Sequence, residues 1–352
     1  MDIPFAATTH PKILLTGAAG FLGRAIIHEL LSEKSPLRPD LLVCYDLQGN
    51  PGFNNPAIRW IVGDVRDVEK LQAACQGIDI VIHTAAVVDW GTKPEQDILD
   101  VNYGGTLNVL EGCLSQQVPF MVYTSSLDAI YTGQAMRDID ETISYPDVHP
   151  NSYCKSKYLS EIKVMEANNS ALKTCILRPS DIYGEGDPFH IGSLIDMARG
   201  GFYVRLGDGS AKSQHVYVGN MAWAHVLAAH ALYTGNRRVP GSIYFITDGA
   251  PSNFFHFFDR VVEKAGYKIW PVNLWIPRNT AMIMGILSEG IARLVRPVKK
   301  YTPKFSRFAV RYTCNDFTFK TSKARDEFGF YPLYNEEEAF ERTVTFYEKD
   351  HR

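Results

Sequence analysis

The 352-residue sequence lacks the features that mark several large classes of protein. It contains no run of about 18 uncharged apolar residues, which argues against a membrane-spanning helix. No basic flank precedes an apolar core at residues 1–5, so we expect no signal peptide. The formal charge of -3 at pH 7 gives no sign of a nucleic-acid partner.

Cysteine and histidine are present but scattered. The six cysteines include no C-x-x-C pair, and several lie in apolar runs, which indicates reduced, buried thiols and a cytoplasmic location rather than a disulfide framework. The ten histidines form no ligand-like cluster, and His225 and His230 are five positions apart, a poor spacing for two ligands on one helix face. We therefore predict no metal site.

What remains is an ordinary globular composition, with 45% hydrophobic and 21% charged residues. A chain of this length can bury the core of one large α/β domain or of two unequal lobes. Strand-like and helical patterns alternate at first, which predicts a doubly wound parallel sheet of Rossmann type over residues 10–184. Residues 185–352 leave this alternation except for a late core strand near 242–248, and we expect them to form mainly a substrate-binding lobe.

The first strand of this alternation leads into a glycine-rich turn. An apolar run ends at Thr16, and Gly17, Gly20 and Gly23 follow it. A helical pattern begins at Phe21-Leu22. A strand, a glycine turn and a helix N-terminus together offer backbone N–H groups to a pyrophosphate. The spacing G-x-x-G-x-x-G is a variant of the dinucleotide-binding loop, and it lies between strand and helix as that motif requires.

The second predicted strand ends at an acid, Asp46. A carboxylate at this point can accept hydrogen bonds from both ribose hydroxyls of an adenosine and would repel a 2′-phosphate. No lysine or arginine follows until Arg59, so nothing obvious attracts that phosphate. The sequence therefore favours NAD over NADP.

Two later strand ends carry further candidate residues. After the third strand, Asp64, followed by Val65, could meet the adenine amino group or could cap the next helix. After the fourth strand, Ala85 and Ala86 are small enough to let the backbone approach a cofactor. His83 has no partner acid nearby in sequence, which favours a structural role. Because ligands of doubly wound sheets bind at the carboxyl ends of the strands, we expect these positions to share one site.

A tyrosine and a lysine fall four residues apart in a segment with helical spacing, which Asn151 or Ser152 would cap. Lys157 therefore shares a helix face with Tyr153. At ~4 Å and an effective dielectric of ~20 the ammonium would stabilise a phenolate by roughly 4 kcal/mol. That is enough to lower the phenol pKa from ~10 to around 7. With Ser126 at the end of the fifth strand to hold the substrate oxygen, these groups form a workable alcohol dehydrogenase site without metal.

These motifs resemble those of the extended short-chain dehydrogenases/reductases. The shared runs are T-G-A-A-G-F-L-G at 16–23, Y-T-S-S at 123–126 and Y-C-K-S-K at 153–157. Two further runs resemble more narrowly the 3β-hydroxysteroid dehydrogenase family: L-R-P-S-D-I-Y-G-E-G at 177–186 and H-V-Y-V-G-N-M-A-W-A-H at 215–225. The sugar-nucleotide relatives usually carry acids at the G-N of the last run. The resemblance extends from the first strand to the end of the chain.

The resemblance implies an NAD-dependent enzyme of steroid and lipid metabolism that oxidises a 3β-hydroxyl of a steroid or sterol to the ketone. It assigns catalysis to Ser126, Tyr153 and Lys157. Tyr153 would take the alcohol proton as hydride leaves for the nicotinamide, and Lys157 would also hold the ribose of the cofactor. Because oxidation releases a proton, activity should rise towards alkaline pH.

The resemblance also implies contacts beyond the catalytic residues. The backbone around Pro179 and Ile182 would face the nicotinamide. The chain would form a homodimer through the helices near 100–116 and 151–168.

Four other functions share this kind of site. A sterol-4α-carboxylate 3-dehydrogenase would use the same residues, because its 3-ketone product is a β-keto acid that loses carbon dioxide readily. A ketone or 3-oxoacyl reductase would prefer NADPH, against which Asp46 counts. An NDP-sugar epimerase would need a polar lobe to hold a diphosphate, and residues 186–215 offer only Arg199, Arg205 and Lys212. A cofactor-binding sensor without catalysis would not need the complete serine, tyrosine and lysine set.

Two details of the substrate-binding region stay open at this point. Isomerisation of a double bond would need another acid or base, and the sequence does not rank the available loop acids, which are Asp128, Asp181, Glu185 and Asp187. Several apolar residues could line a steroid pocket or could equally be plain core, namely Phe189, Phe202, Tyr203 and Val204. The helical spacing of Phe254, Phe255, Phe257 and Phe258 predicts packing.

A last segment combines apolar and basic residues. Residues 279–297 have a helical pattern interrupted by Glu289 and Arg293. Basic residues then follow without an acid, at Arg296, Lys299, Lys300, Lys304, Arg307 and Arg311. An apolar helix beside a basic tract can lie on an anionic bilayer surface, which would give a cytoplasmic enzyme a peripheral membrane contact. The alternative is a core helix followed by a solvated loop.

Overall fold

The computed structural model describes residues 9–89, 93–295 and 306–348. The strands of these residues are β1 (Lys12–Thr16), β2 (Leu41–Asp46), β3 (Ile58–Val62), β4 (Ile80–His83), β5 (Phe120–Thr124), β6 (Met136–Ile139), β7 (Lys173–Pro179), β8 (Asp181–Tyr183), β9 (Arg205–Leu206), β10 (His215–Tyr217), β11 (Ser242–Ile246), β12 (Trp275–Ile276) and β13 (Phe317–Phe319).

The helices of the described residues are α1 (Phe21–Leu31), α2 (Val68–Cys75), α3 (Glu95–Leu99), α4 (Gly105–Ser115), α5 (Ser152–Glu166), α6 (Ile191–Arg199), α7 (Val218–Tyr233), α8 (Phe254–Lys264), α9 (Arg278–Val295), α10 (Arg307–Thr313), α11 (Ser322–Phe328) and α12 (Glu336–Tyr347). A π-helical stretch, Asp100–Gly104, joins α3 to α4, and a 3₁₀ turn, Leu127–Ile130, follows β5.

Seven parallel strands form the central sheet in the order β11-β7-β5-β4-β1-β2-β3. The order reverses at β1, which pairs with β2 on one side and with β4 on the other. This reversal opens a crevice at the carboxyl ends of the strands, where doubly wound sheets bind ligands. The predicted fold class is confirmed.

The central strands are apolar on both faces, as a sheet covered by helices on both sides requires. Along β1, Ile13 and Leu15 belong to the core cluster that packs under α1 and α7, whereas Leu14 belongs to the cluster under α2 and α4. Alternate residues of a strand point to opposite faces, so one continuous apolar run supplies two cores.

The second half of the chain contributes more to the sheet domain than the boundary at residue 184 implies. Strand β11 pairs with β7 at the sheet edge, near the late strand expected at 242–248. Helix α7 packs against α1, β4, β5 and β7, and its residues from Val218 to Leu232 are all buried. A helix that is buried on every side belongs in a core, and the core that α7 joins is that of the sheet domain.

The remaining C-terminal elements build a smaller lobe around α6 and α8. As predicted, the aromatic residues of α8 are packing residues: Phe254, Phe255 and Phe258 are buried, and Phe257 packs against the same cluster. Short parallel pairs, β8 with β10, β9 with β12 and β6 with β13, tie this lobe together and to the sheet domain. No helix of the described residues is long and apolar enough to cross a bilayer.

A buried ion pair fastens α5 to β7. Arg178 and Glu161 are 1% and 0% exposed at their side chains, and Nη2 lies 2.6 Å from Oε2. The Tyr145 hydroxyl donates a second hydrogen bond to Oε2 at 2.6 Å. The guanidinium also lies 5.3 Å from the Tyr145 ring and 5.5 Å from the Phe245 ring, so the cation is enclosed on several sides.

We predict that Glu161→Gln lowers the free energy of unfolding by about 3 kcal/mol, because it leaves a buried guanidinium without its counter-charge. Glu166→Gln on the same helix is the matched control. Its ion pair with Lys163 is exposed, so its loss should leave the free energy of unfolding almost unchanged. Urea unfolding followed by tyrosine and tryptophan fluorescence measures both variants, and equal losses would contradict the assignment.

Candidate active site

A cavity of about 480 Å³ lies at the carboxyl ends of the central strands. Residues that follow β1, β2, β3, β4, β5 and β7 line it, together with residues of α5 and α10. The structure brings into this cavity all the site residues named from the sequence: Gly17, Gly20, Phe21, Leu22, Gly23, Asp46, Asp64, Val65, Ala85, Ala86, Ser126, Tyr153, Lys157, Pro179 and Ile182.

Two glycines of the segment that runs from the end of β1 into α1 have no room for a side chain. Gly17 has φ +73°, and a Cβ there would lie 2.7 Å from Thr84 Oγ1 and 2.8 Å from Ala85 N. A Cβ on Gly23 would lie 2.1 Å from the Gly17 carbonyl oxygen. Helix α1 begins just after Gly20, whose position carries no capping side chain. Its first N–H groups and the positive end of its dipole therefore fit a pyrophosphate.

Two aspartates lie where the adenosine end of a dinucleotide would be expected. Asp46 Oδ2 accepts the N–H of Ala19 at 3.0 Å, which ties the end of β2 to the glycine turn. Asp64 instead binds Arg66 through both carboxylate oxygens, with the shortest contact at 2.6 Å. Helix α2 is capped by Asp67 rather than by Asp64, so the capping role considered for Asp64 is wrong.

His83 is a buried structural residue at the end of β4, directly before the residues that line the cavity. Its Nδ1 hydrogen bonds with Thr16 Oγ1 at 2.7 Å, and its Nε2 with Thr106 Oγ1 at 3.1 Å. Burial, assisted by the charge of Lys157, lowers the pKa of His83 to about 3. The neutral ring therefore links the first strand to α4 at ordinary pH.

Tyr153 and Lys157 lie on the first turns of α5, which Asn151 caps by accepting the N–H of Cys154. Lys157 Nζ donates to the Thr124 carbonyl oxygen at 2.8 Å and lies 5.9 Å from the centre of the Tyr153 ring. Burial lowers the pKa of Lys157 to about 8, against the opposing charges of Glu161 and Asp128.

The pKa of Tyr153 moves in the opposite direction from the expected one. Burial is the main reason that it lies well above its usual value, and the charge of Asp128 and the neighbouring Tyr123 add to the effect. A hydrogen bond with Ser126 opposes the rise. The expected fall to around 7 is therefore wrong for the protein alone, because that estimate counted the ammonium and left out desolvation.

Ser126 has a partner that was not assigned from the sequence. Its hydroxyl donates to Asp128 Oδ2 at 2.8 Å and accepts the N–H of Asp128 at 3.1 Å. Cys154 Sγ lies 3.7 Å from Asp128 Oδ1. Burial raises the pKa of Asp128 to about 6. The Ser-x-Asp spacing at a strand end was the available signal, since a serine that starts a turn commonly accepts the N–H two residues on.

A part of the cavity lining, which we name the apolar end, is formed by residues distant in sequence. Phe308 and Tyr312 of α10 line it beside Pro188 and Phe189. The Tyr312 hydroxyl donates to Asp181 Oδ1 at 2.6 Å. No local pattern could have joined these residues, because they are separated by more than a hundred positions.

The structure separates the loop acids and apolar residues that the sequence left unranked. Asp128 and Asp181 line the cavity, whereas Glu185 and Asp187 do not. Glu185 accepts a hydrogen bond from the Tyr217 hydroxyl, and Asp187 pairs at 3.4 Å with His190, which does line the cavity. Of the apolar candidates Phe189 lines the cavity. Phe202 is 57% exposed, and Tyr203 and Val204 are buried in the core of the smaller lobe.

The charges of the cavity are unevenly distributed. Among the described residues that line it, Lys157 is the one lysine and there is no arginine, while the acids number five: Asp46, Asp64, Asp89, Asp128 and Asp181. Lys157 is held by the Thr124 carbonyl group, and His190 is paired with acids on both sides at 3.4 and 3.6 Å. The Tyr153 phenol and the Ser126 hydroxyl thus share one cavity with the glycine turn and with the rings of Phe189, Phe308 and Tyr312.

Comparison with known families gives a match over most of the chain. The model of the 3-beta hydroxysteroid dehydrogenase/isomerase family matches residues 14–274. This range includes the glycine turn, α5 and the central sheet apart from the first two residues of β1.

Solved structures share the architecture at low sequence identity. A dTDP-glucose 4,6-dehydratase from Streptomyces venezuelae, crystallised with NAD, is 21% identical with a TM-score of 0.74, covering 97% of this chain and 98% of its own. A UDP-glucose 4-epimerase from Thermotoga maritima is 19% identical with a TM-score of 0.72, covering 97% and 100%. A short-chain dehydrogenase/reductase superfamily protein from Agrobacterium tumefaciens, with bound NAD, is 17% identical with a TM-score of 0.69, covering 97% and 98%. At these identities the likeness shows the fold alone.

Proposed function

The chain belongs to the 3-beta hydroxysteroid dehydrogenase/isomerase family, one of the extended short-chain dehydrogenases/reductases, and on that premise we propose that it oxidises the 3β-hydroxyl of a steroid or sterol to the ketone with NAD. The observation that carries this proposal is the single cavity that joins the glycine turn, the Ser126, Tyr153 and Lys157 groups, and an apolar end without a described arginine.

The residues present fit NAD. A Cβ at Gly17 would collide with Thr84 and Ala85 after β4, so the turn that leads into α1 requires glycine there. Asp46 lies at the end of β2, where it would hold the adenosine ribose and disfavour a 2′-phosphate. We assign Asp64 and Val65 to the adenine end, and Ala85, Ala86, Pro179 and Ile182 to the walls. NAD, when bound, supplies the hydride acceptor and a positive charge near the phenol.

The protein's own part in the reaction is to hold the alcohol and to take its proton. Ser126 fixes the substrate oxygen within reach of Tyr153. Tyr153, as the phenolate, accepts the O–H proton while the C–H hydrogen leaves as hydride and the C–O bond becomes C=O. Lys157 stabilises the phenolate and holds the ribose. Because burial raises the pKa of Tyr153, the phenolate is favoured as pH rises, and oxidation should accelerate in the same direction.

The apolar end favours an uncharged steroid over the alternative substrates. A sugar nucleotide would bring two phosphate charges and a sterol carboxylate one, and the described lining offers neither an arginine nor an uncommitted lysine to pair with them. Phe189 and Phe308 present ring surface instead.

We predict that the wild-type protein reduces NAD with epiandrosterone, a 3β-hydroxysteroid, at least tenfold faster than with its 3α epimer androsterone, because the epimer presents its hydroxyl to the wrong side of the phenol. Tyr153→Phe should lower kcat by about 10²–10⁴-fold, the usual worth of a general base. NADH absorbance measures both, and NADP should be the poorer cofactor.

The matched control is Tyr158→Phe, on the same helix, whose ring stacks on His149 at 4.6 Å. It should retain wild-type turnover. Undiminished turnover in Tyr153→Phe would overturn the mechanism. Turnover of UDP-glucose or of a 4-carboxysterol without epiandrosterone oxidation would overturn the substrate class in favour of an epimerase or of the decarboxylating enzyme.

We further propose that α9 rests on an anionic membrane surface. One of its faces packs on α10, where Ala281 is buried and Glu289 bonds Arg307 at 2.8 Å. The other face is apolar and exposed, at Ile283, Ile286, Leu287, Ile291 and Leu294. Arg296, Lys299, Lys300 and Lys304 of the basic tract lie outside the described residues, as does the side chain of Arg293.

Co-sedimentation with anionic vesicles tests this contact. The triple variant Ile283→Gln, Leu287→Gln and Leu294→Gln should bind at least tenfold more weakly, since each side chain loses roughly 1–2 kcal/mol of apolar transfer. Val148 is an apolar side chain outside α9 that is 77% exposed, and Val148→Gln should bind like the wild type. If the wild type does not bind the anionic vesicles at low salt, the proposal is refuted.

We propose, finally, a homodimer through α4 and α5. Apolar side chains of this region are only half-buried, at Tyr103, Leu107, Leu159 and Ile162. Sedimentation velocity should show a dimer for the wild type and a monomer for Leu107→Glu with Ile162→Glu, because charge at a dimer core is costly. Val62→Glu, on exposed β3, should stay dimeric. A monomeric wild type at micromolar concentration would dismiss the dimer.

A further inference from the structure

The hydroxyl of Ser126 is held by two groups of one residue. It donates its proton to Asp128 Oδ2 at 2.8 Å, and it accepts the N–H of Asp128 at 3.1 Å. A serine hydroxyl has one proton and two lone pairs, so this arrangement leaves one lone pair. That lone pair is within hydrogen-bond reach of the Tyr153 hydroxyl, and an alcohol in the cavity can use it when Tyr153 is the phenolate. In this state Ser126 can accept a hydrogen bond from an alcohol, and it has no proton to give to a ketone.

A proton on Asp128 reverses that polarity. The neutral carboxyl group becomes a donor to Ser126 Oγ, while the backbone N–H of Asp128 continues to donate to the same oxygen. Both lone pairs of Ser126 are then used, and its own proton is free to turn towards the cavity. In this state Ser126 can donate to a ketone oxygen and cannot accept from an alcohol.

We propose that Asp128 is a positioning residue that sets the direction of the hydrogen bond between Ser126 and the substrate, which favours alcohol binding when the carboxylate is ionised and ketone binding when it is protonated. This inference rests on the dehydrogenase function proposed above. Oxidation and reduction would then each be favoured by a different protonation state of Asp128.

The surroundings of Asp128 place its titration within reach of ordinary pH. Asp128 is 8% exposed and lines the cavity. Burial raises its pKa to about 6, the hydrogen bond from Ser126 opposes the rise, and the charge of Asp181 adds to it. The titratable groups that face it are Tyr131 of its own turn, Tyr153, Cys154 and Lys157 of α5, Asp181 of β8 and Tyr312 of α10.

The test compares both directions of the reaction across pH. With saturating NAD, the rate of epiandrosterone oxidation by wild type should fall below about pH 6. This loss is separate from the gradual increase in rate expected towards alkaline pH. With NADH, androstanedione reduction to the 3β-alcohol should gain rate over the same interval. Asp128→Asn keeps the shape of the side chain and offers an amide N–H to Ser126. It should lower oxidation about tenfold, the worth of one hydrogen bond, and spare reduction.

The pH profile separates this role from a structural one. In Asp128→Asn the transition near pH 6 should vanish from both directions. Cys154→Ala removes a donor to Asp128, which makes ionisation harder and should move the transition to higher pH. Asp140→Asn, on an exposed loop, should keep the wild-type profile. An unchanged transition in Asp128→Asn, or equal losses in both directions, would overturn the proposal.

An infrared pH titration of the protein without steroid distinguishes failure of this inference from failure of the proposed function. A carboxylic acid band should titrate near pH 6, be missing in Asp128→Asn and shift in Ser126→Ala. The inference is overturned if no such band titrates, or if the band is unchanged in Ser126→Ala, whether or not the protein turns over steroid. A Ser126-dependent band in a protein that oxidises no 3β-hydroxysteroid supports the coupling and rejects the proposed substrate.

Discussion

Burial of charge at the carboxyl edge of the sheet is the constraint on which the rest of the site depends. In water, an ammonium near a phenol would be worth little, and an aspartate near both would simply stay ionised. Here each buried charge needs a hydrogen bond or must change its protonation state. Lys157 donates a hydrogen bond to the Thr124 carbonyl group, Asp128 accepts one from Ser126, and the Tyr153 hydroxyl stays protonated. The pKa values of Lys157 and Asp128 accordingly approach each other, at about 8 and about 6.

Ion pairs and hydrogen bonds also hold the elements around this cluster in place. Glu161, whose ion pair with Arg178 fastens α5 to β7, is also the acid that most raises the pKa of Lys157 against burial. On the other side, Lys157 helps to keep His83 neutral, and neutral His83 links Thr16 to Thr106. Helix α5 is therefore held in place by the same charges that tune the site, and the position of the phenol cannot be separated from its acidity.

Local sequence patterns could predict the parts of the site that are themselves local. The glycine turn, Asp46 and the Tyr153 and Lys157 pair each follow from a strand end or from helical spacing, and parallel strands bring such ends together. The sequence could not give the sign of the Tyr153 pKa shift, because desolvation depends on what the whole fold places around the ring. It also could not place α7 in the sheet domain, or pair Tyr312 with Asp181 across 131 positions.

The difference between local and long-range features also explains why the fold says little about the substrate. Enzymes of nucleotide sugars share this architecture over nearly their whole length. The two kinds of substrate would be told apart at the apolar end of the cavity lining, to which α10 contributes Phe308 and Tyr312.

Helix α10 also packs on α9, whose opposite face is apolar and exposed. One helical pair therefore joins the proposed steroid end of the cavity to the proposed membrane contact. For a substrate that partitions into lipid, a cavity beside the bilayer shortens the path through water, where its apolar surface is most costly. The chemistry of the proposed substrate thus gives a common reason for the lack of a described arginine in the cavity and for the apolar surface of α9.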